Sequence, residues 1–231
     1  SILINGDKFS FLVIDLDVDA KTTQAGIVER TAFHLEQQLG KSEPARKFLH
    51  DAWAFVQRIR IKSVGIDSRP DESAASDELL IDQFAFSLAA VSERLCKPDG
   101  EGNIFVAHFD GILILIDEAD NCTPDLALGS FLKLLLERLQ RKGCNRVLIG
   151  LAGLPELRTR LYESHPSSLR MFHELQLGRL SDIEVNRVID ICLEQANTKS
   201  TDQTTVTEEA RNSLVTLSEG FPSFIQQFGF S

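Results

Sequence analysis

The sequence lacks several features that identify common classes of protein. Its four cysteines have neither metal-ligand nor disulfide-framework spacing, and its five histidines form no HExxH cluster or comparable metal motif. No apolar run reaches the roughly 18 residues of a membrane span, and no signal peptide is evident. These absences predict reduced thiols in a soluble, cytoplasmic protein that makes no use of a membrane.

Positive charge is also scarce. The 231 residues include 24 lysines and arginines against 34 aspartates and glutamates, which gives a formal net charge of −10. Because an acidic chain repels the phosphates of nucleic acids, this balance argues against unspecific DNA or RNA binding, and we expect DNA as a partner only through other domains. The hydrophobic fraction of 43% supports a sizeable core, and the length predicts one α/β domain with a small appendage.

A glycine-rich phosphate loop is missing as well. The only GK[ST] sequence is Gly40-Lys41-Ser42, and Leu35 occupies the position where such a loop needs its first glycine. Residues 28–39 have the apolar spacing of an amphipathic helix, so Gly40 is predicted to end that helix. We therefore interpret this sequence as a helix terminus, and we expect a chain that starts at Ser1 to bind ATP poorly.

The most informative stretch that is present is an apolar run ending in two carboxylates, residues 111–120 (GILILIDEAD). Such a run predicts a central strand of a parallel sheet, buried on both faces. Ligands of open α/β sheets bind beyond the carboxyl ends of the strands, where Asp117 and Glu118 would emerge. Asp117 suits a hydrated Mg²⁺, and Glu118 suits a base for water. The alternative is a strand followed by an acidic first turn of a helix.

Strands and helices alternate up to about residue 180, and only helices follow. Strands are predicted at 9–16, 111–116, 145–152 and 173–177, with an edge strand at 58–62 and a short strand at 104–108. Helices are predicted at about 23–39, 44–57, 78–95 and 125–141, and a mobile loop at 68–77. The tail predicts a helix opened by a capping box at 181–184 and ending near 197, a second at 207–219, and a third from Pro222.

Several of these segments together resemble P-loop ATPases of the AAA+ class, nearest the STAND-like and origin-recognition-type branch. They are FLVIDLD (11–17), GILILIDEADN (111–121) as a Walker B motif, RVLIGLAGLPELRTRL (146–161), MFHELQLGRLSDIEV (171–185) and LSEGFPSFIQQFG (217–229). The resemblance implies a P-loop NTPase-type parallel sheet flanked by helices over residues 1–180 and a helical lid over 181–231. It also implies that the first strand and the phosphate loop lie upstream of Ser1.

The resemblance further implies Mg²⁺-dependent binding and hydrolysis of ATP, acting as a switch or motor with self-association or protein partners. In that reading Asp117 holds Mg²⁺, Glu118 polarises the attacking water, and no residue of the phosphate loop is in the chain. Arg170 stands where the family commonly places an arginine that reaches a neighbour's nucleotide. The alternative for Arg170 is an ordinary surface arginine. Asp15 and Asp17 either approach the metal's outer shell or cap the turn after their strand.

Two alternatives remain at this stage. Residues 152–154 (AGL) offer no polar side chain where the family often has one, and no arginine stands near Pro222. These departures favour a catalytically weak, nucleotide-sensing scaffold for the assembly of protein or protein–DNA complexes.

The letters DEAD at 117–120 suggest a helicase, but no Ser-Ala-Thr motif follows the next strand and the tail is short and helical, which disfavours that class.

Overall fold

A computed structural model describes residues 9–57, 70–97, 103–105, 107–199 and 203–229, with the backbone alone for residues 70–76. The chain divides into two compact units, residues 1–172 and 173–231. The strands are β1 (Phe11–Asp17), β2 (Gly111–Asp117) and β3 (Val147–Leu151). The helices are α1 (Gln24–Leu39), α2 (Glu43–Ala52), α3 (Pro70–Leu95), α4 (Leu128–Arg141), α5 (Glu156–Ser164), α6 (Asp182–Lys199), α7 (Glu208–Ser218) and α8 (Pro222–Gly229).

The first unit is an α/β structure with a parallel sheet flanked by helices, as the sequence predicts. The strand order is β1-β2-β3, and both pairs are parallel. Alternate residues of β1 and β2 are buried on one face of the sheet. These residues are Leu12, Ile14, Leu16, Ile112, Ile114 and Ile116.

The opposite face of the sheet is less covered than the sequence predicts for a strand buried on both sides. Leu113 and Leu115 of β2 are only half-buried, and Leu148 of β3 is 49% exposed. Within the described residues, neither β1 nor β3 has a strand partner on its outer edge. Strand β2 is therefore fully buried on one face only.

Aromatic side chains join the helices in the core of the first unit. The ring of Phe84 on α3 stacks with Phe131 on α4 at a centroid distance of 6.2 Å and lies 6.0 Å from Trp53. All three side chains are buried in one cluster with the inner face of the sheet. No helix in the described ranges is long and apolar enough to cross a membrane.

The predicted strand at 173–177 is absent. Residues 172–181 have no regular structure, and Leu175 and Leu177 are 78% and 97% exposed. Alternating apolar residues form a strand only where a neighbouring strand pairs with them and one face is buried, and the exposure of Leu175 and Leu177 shows that no face is buried here. The short strand predicted at 104–108 is also absent at the described positions 103–105 and 107–108.

Helix α3 begins earlier than predicted. Residues 70–77, predicted as a mobile loop, form its first turns. Proline suits the first turn of a helix, acidic residues suit its amino end, and alanine is the strongest helix former, so PDESAASD favours a helix despite its polarity. The predicted edge strand at 58–62, and residues 68 and 69 of the predicted loop, lie outside the described residues.

The helix predicted at 125–141 is divided by a left-handed residue. Residues Pro124–Leu126 form a short 3₁₀ helix, Ala127 has φ 47°, and α4 then runs to Arg141. Gly143, with φ 69°, follows the end of α4 as predicted. The helix predicted at 44–57 is similarly interrupted at Trp53, which ends α2, although residues 54–57 are again helical.

The second unit consists of α6, α7 and α8 around a very small core. Its fully buried hydrophobic residues among those described are Val185, Ile189 and Ile225. The predicted capping box is confirmed, since Ser181 donates through N–H and hydroxyl to Glu184 Oε2 at 2.8 and 2.7 Å. This network lowers the pKa of Glu184, mainly because the Ser181 N–H stabilises the carboxylate.

Candidate functional site

The carboxyl ends of the three parallel strands form an open pocket of about 270 Å³. The register places Asp17 of β1 opposite Asp117 of β2. Asp15 lies two residues earlier on the same face of β1, because side chains alternate along a strand. The lining is Asp15, Leu16, Asp17, Leu115, Ile116, Asp117, Gly150, Leu151 and Ala152. The fold thus brings three exposed carboxylates to one groove.

Asp117 is anchored by its own backbone and by hydrogen bonds around it. Its Oδ1 accepts the Glu118 N–H at 2.7 Å, and its carbonyl accepts the Val18 N–H at 3.0 Å. The second bond ties the end of β2 to the residue after β1. The Asp117 carboxylate is therefore presented to solvent from a fixed backbone position.

Glu118 has a left-handed backbone conformation, with φ 51° and ψ 31°. A non-glycine residue there costs about 1–2 kcal/mol, and such strain is frequent at functional sites. Glu118 opens a short 3₁₀ helix, Ala119–Asn121, and Asn121 Nδ2 donates to Glu118 Oε2 at 3.3 Å. The chain therefore turns sharply at this carboxylate, and the Asn121 amide orients it.

Asp19, and not Asp15 or Asp17, caps the turn after β1. Its carboxylate accepts the Thr22 hydroxyl at 2.7 Å and the Lys21 N–H at 3.0 Å. These bonds, led by the Thr22 hydroxyl, lower the pKa of Asp19.

Asp15 and Asp17 instead line the pocket together with Asp117. One cation approaches the same strand end. Arg30 Nη1, from α1, donates to the carbonyl of Asp17 at 2.7 Å.

The oxygen donors of the pocket suit Mg²⁺ only in a shared site. In the part of the chain that the structure describes, no three His, Cys, Asp or Glu side chains are grouped closely enough to hold a metal by themselves. Mg²⁺ is commonly held by one or two carboxylates with water and substrate phosphates, so an aspartate at a strand end fits that mode. An all-protein metal cage does not fit these residues.

Gly40-Lys41-Ser42 forms a corner between two helices, as the sequence predicts. Gly40 follows α1 and donates its N–H to the Glu36 carbonyl at 2.9 Å, while Ser42 Oγ caps α2 by accepting the Ala45 N–H. A Cβ on Gly40 would lie 2.5 Å from the Glu36 carbonyl oxygen, so this position needs a residue without a side chain. These three residues do not line the pocket at Asp117.

Arg170 is not part of the pocket. It lies exposed in a 3₁₀ helix, Ser168–Met171, and the strand predicted to follow it is absent. Its exposure agrees with both readings made from the sequence, a surface arginine and one that reaches a neighbouring molecule.

Sequence reasoning missed Asp120, Asn121 and Arg30. Asp120 Oδ1 accepts the Leu154 N–H at 3.0 Å, and the two residues are 34 positions apart in the sequence, so a local sequence pattern does not predict the contact. Asn121 could have been noticed, since a polar amide three residues after Glu118 can return to it in one turn. Arg30 occupies an ordinary helix position.

Neither a scan against models of known protein families nor a search of curated proteins finds a match to this chain.

Proposed function

We propose that the protein containing this chain binds ATP with Mg²⁺ at the carboxyl end of β2 and hydrolyses it, as a domain of the AAA+ class of P-loop ATPases. The supporting observation is that an apolar, centrally placed strand ends in exposed Asp117 and Glu118. Asp17 stands beside Asp117 in a groove at the carboxyl ends of parallel strands. Ligands of such sheets bind at this edge.

The roles of the two residues follow from their positions. Asp117 would hold Mg²⁺, which would offset the negative charge of the ATP phosphates. Glu118 would accept a hydrogen bond from the attacking water and take its proton. The new bond joins that oxygen to the γ-phosphorus, and the bond to the β,γ-bridging oxygen breaks to release ADP.

The described residues offer no phosphate cradle. Backbone N–H groups of a glycine-rich loop and its lysine supply most phosphate contacts in this class. Titration of ATP·Mg into the isolated chain should then show no saturable binding at micromolar concentrations. Micromolar binding lost on Lys41→Ala would restore residues 40–42 as the phosphate loop.

The decisive experiment is phosphate release by the intact protein with ATP and Mg²⁺. Asp117→Ala should abolish Mg²⁺-dependent turnover, whereas Glu118→Gln should retain ATP but hydrolyse it poorly. Asp125→Asn is the matched control, because Asp125 is an exposed carboxylate nearby that does not line the pocket. Normal turnover in the Glu118→Gln protein would remove the catalytic role from that residue.

A trans-acting role for Arg170 is part of the proposal. If Arg170 reaches the nucleotide of a neighbouring copy, Arg170→Ala should lower turnover without weakening ATP binding. Mixing it with Glu118→Gln protein should then recover some activity at mixed interfaces. No recovery on mixing, with both variants folded, assigns Arg170 to the surface.

The second candidate is a nucleotide-sensing scaffold that turns ATP over slowly or not at all. Two observations favour it: the loop at 152–154 has no polar side chain, and Asn121 engages the Glu118 carboxylate. In a scaffold, wild type and Glu118→Gln should release phosphate equally slowly while both bind ATP. A clear difference between them favours the ATPase.

A further inference from the structure

The turn after β2 and the loop after β3 are joined by a short series of hydrogen bonds. The Ala152 N–H donates to the Ile116 carbonyl at 2.9 Å, and the Ala119 N–H donates to the Ala152 carbonyl at 3.0 Å. One side chain extends the series, since Asp120 Oδ1 accepts the Leu154 N–H at 3.0 Å. Asp120 thus adds a third link, from a side chain, to the two backbone bonds that join the segments, and it is the one that holds the loop beyond Ala152.

Gly153 makes the Asp120 contact possible. A Cβ at this position would lie 2.5 Å from Asp120 Oδ1 and 3.1 Å from the Asp120 backbone nitrogen. Any larger residue would push the carboxylate away from the Leu154 N–H. A glycine is therefore needed at position 153, because the Asp120 carboxylate lies so close to its backbone.

The contact bears on the pocket although Asp120 itself does not line it. Ala152, which precedes Gly153, lies in the wall of the pocket that contains Asp117. On the other side, the turn that carries Asp120 also carries Glu118. Loss of the Asp120 contact would leave the loop held to the turn by the two backbone bonds of Ala152 alone, which would allow the wall and the Glu118 carboxylate to shift relative to each other.

We propose that Asp120 is a positioning residue that fixes the loop after β3 against the turn bearing Glu118. The inference rests on the ATPase activity proposed above. A carboxylate accepting a backbone N–H makes a bond roughly twice as strong as a neutral pair, which suits a contact that must hold two separate segments in register. A misplacement of about 1 Å near a reacting centre can cost up to about a hundredfold in rate.

The test uses the intact protein and five variants. Asp120→Ala removes the acceptor and should lower kcat for ATP hydrolysis by about ten- to a hundredfold with little change in KM. Asp120→Asn keeps an acceptor oxygen at the same place and should recover most of that loss. Gly153→Ala should lower kcat as Asp120→Ala does. In the double variant, which combines the two changes, the fold-loss in kcat should be smaller than the product of the two single fold-losses. Asp125→Ala is the control for an exposed carboxylate outside the contact.

Hydrogen exchange at the Leu154 amide supplies a readout that needs no activity. Protection should be present in wild type and Asp120→Asn and lost in Asp120→Ala. Full turnover in Asp120→Ala, or multiplicative losses in the double variant, overturns the inference and leaves the proposed function standing. An intact wild type that neither binds nor hydrolyses ATP overturns the proposed function, and the inference with it, even where Leu154 is protected.

Discussion

The two units of this molecule are stabilised in different ways. The first has a continuous core that joins the inner face of the sheet to α1, α2, α3 and α4. The second has three fully buried hydrophobic residues among those described, and it depends on local contacts such as the capping box at Ser181. Its ion pair between Arg179 and Glu219 is exposed and contributes little, whereas the pair between Arg211 and Asp190 is half-buried on the arginine side.

The difference indicates where precise chemistry can be placed. Functional side chains must be held to within a fraction of an ångström, which a rigid scaffold provides. Asp117 and Glu118 follow directly from a strand in the larger core. The second unit, with few buried contacts, is expected to open locally at much lower free energy.

The largest expected effect is in the core of the first unit. Phe84→Ala should lower the free energy of unfolding by about 3–5 kcal/mol, because Phe84 is buried against Phe131 and Trp53. The control is Phe86→Ala on the same helix, which is 61% exposed and loses mainly a cation–π contact with Lys142, about 0.5–1 kcal/mol. Urea unfolding followed by the fluorescence of Trp53, the single tryptophan, measures both. Equal losses would show that the ring of Phe86 is covered in solution.

The second effect is a smaller loss of free energy, but it is expected to unfold part of the second unit. Ile225→Ala should cost about 2–4 kcal/mol locally, which we expect to open α8. Amide exchange should accelerate across α6 to α8 and remain unchanged in β1 to β3. Phe224→Ala, at a side chain that is 41% exposed, is the control and should leave exchange nearly as in wild type. Faster exchange in the strands as well would contradict the contrast drawn between the units.

The smallest effect is a dependence of α6 on pH. Because folding lowers the pKa of Glu184 below its ordinary value of 4.5, its stabilisation is fully present above that value and is lost as the pH falls through the lower, folded-state value. Exchange rates of the first turn of α6 should rise when the pH is lowered to about 3, relative to the intrinsic rates at each pH. Glu184→Gln should remove this dependence, whereas Glu194→Gln on the same helix should preserve it. A rise of equal size in the Glu184→Gln protein would locate the dependence elsewhere.

The fold could be predicted from sequence where local signals and burial agree. The apolar run before Asp117 and the capping box at Ser181 predict their elements closely, because an apolar run and cap chemistry are local signals. The strand at 173–177 failed, since alternation gives no information on whether a sheet edge is there to receive it. The early start of α3 was missed because a polar composition hid good helix formers.

The candidate site could be predicted only in part. Asp117 and Glu118 stand out because charge follows an apolar run abruptly. That Asp17 faces Asp117 depends on strand order and register, which no single segment encodes. The contact between Asp120 and Leu154 is a tertiary one, and a small residue at 153 is its only trace in the sequence.

Within the described residues the outer edge of β3 has no strand partner, and this has a consequence for handling the protein. Its five residues, Val147–Leu151, carry no charge, and alternate backbone donors and acceptors point away from the sheet. The outer edge of β1, by contrast, carries Asp15 and Asp17, and charge on an edge strand discourages pairing with another chain. We therefore expect the isolated chain to aggregate through β3 in concentrated solution. Light scattering will detect this aggregation, and an added strand that pairs with the outer edge of β3 will suppress it.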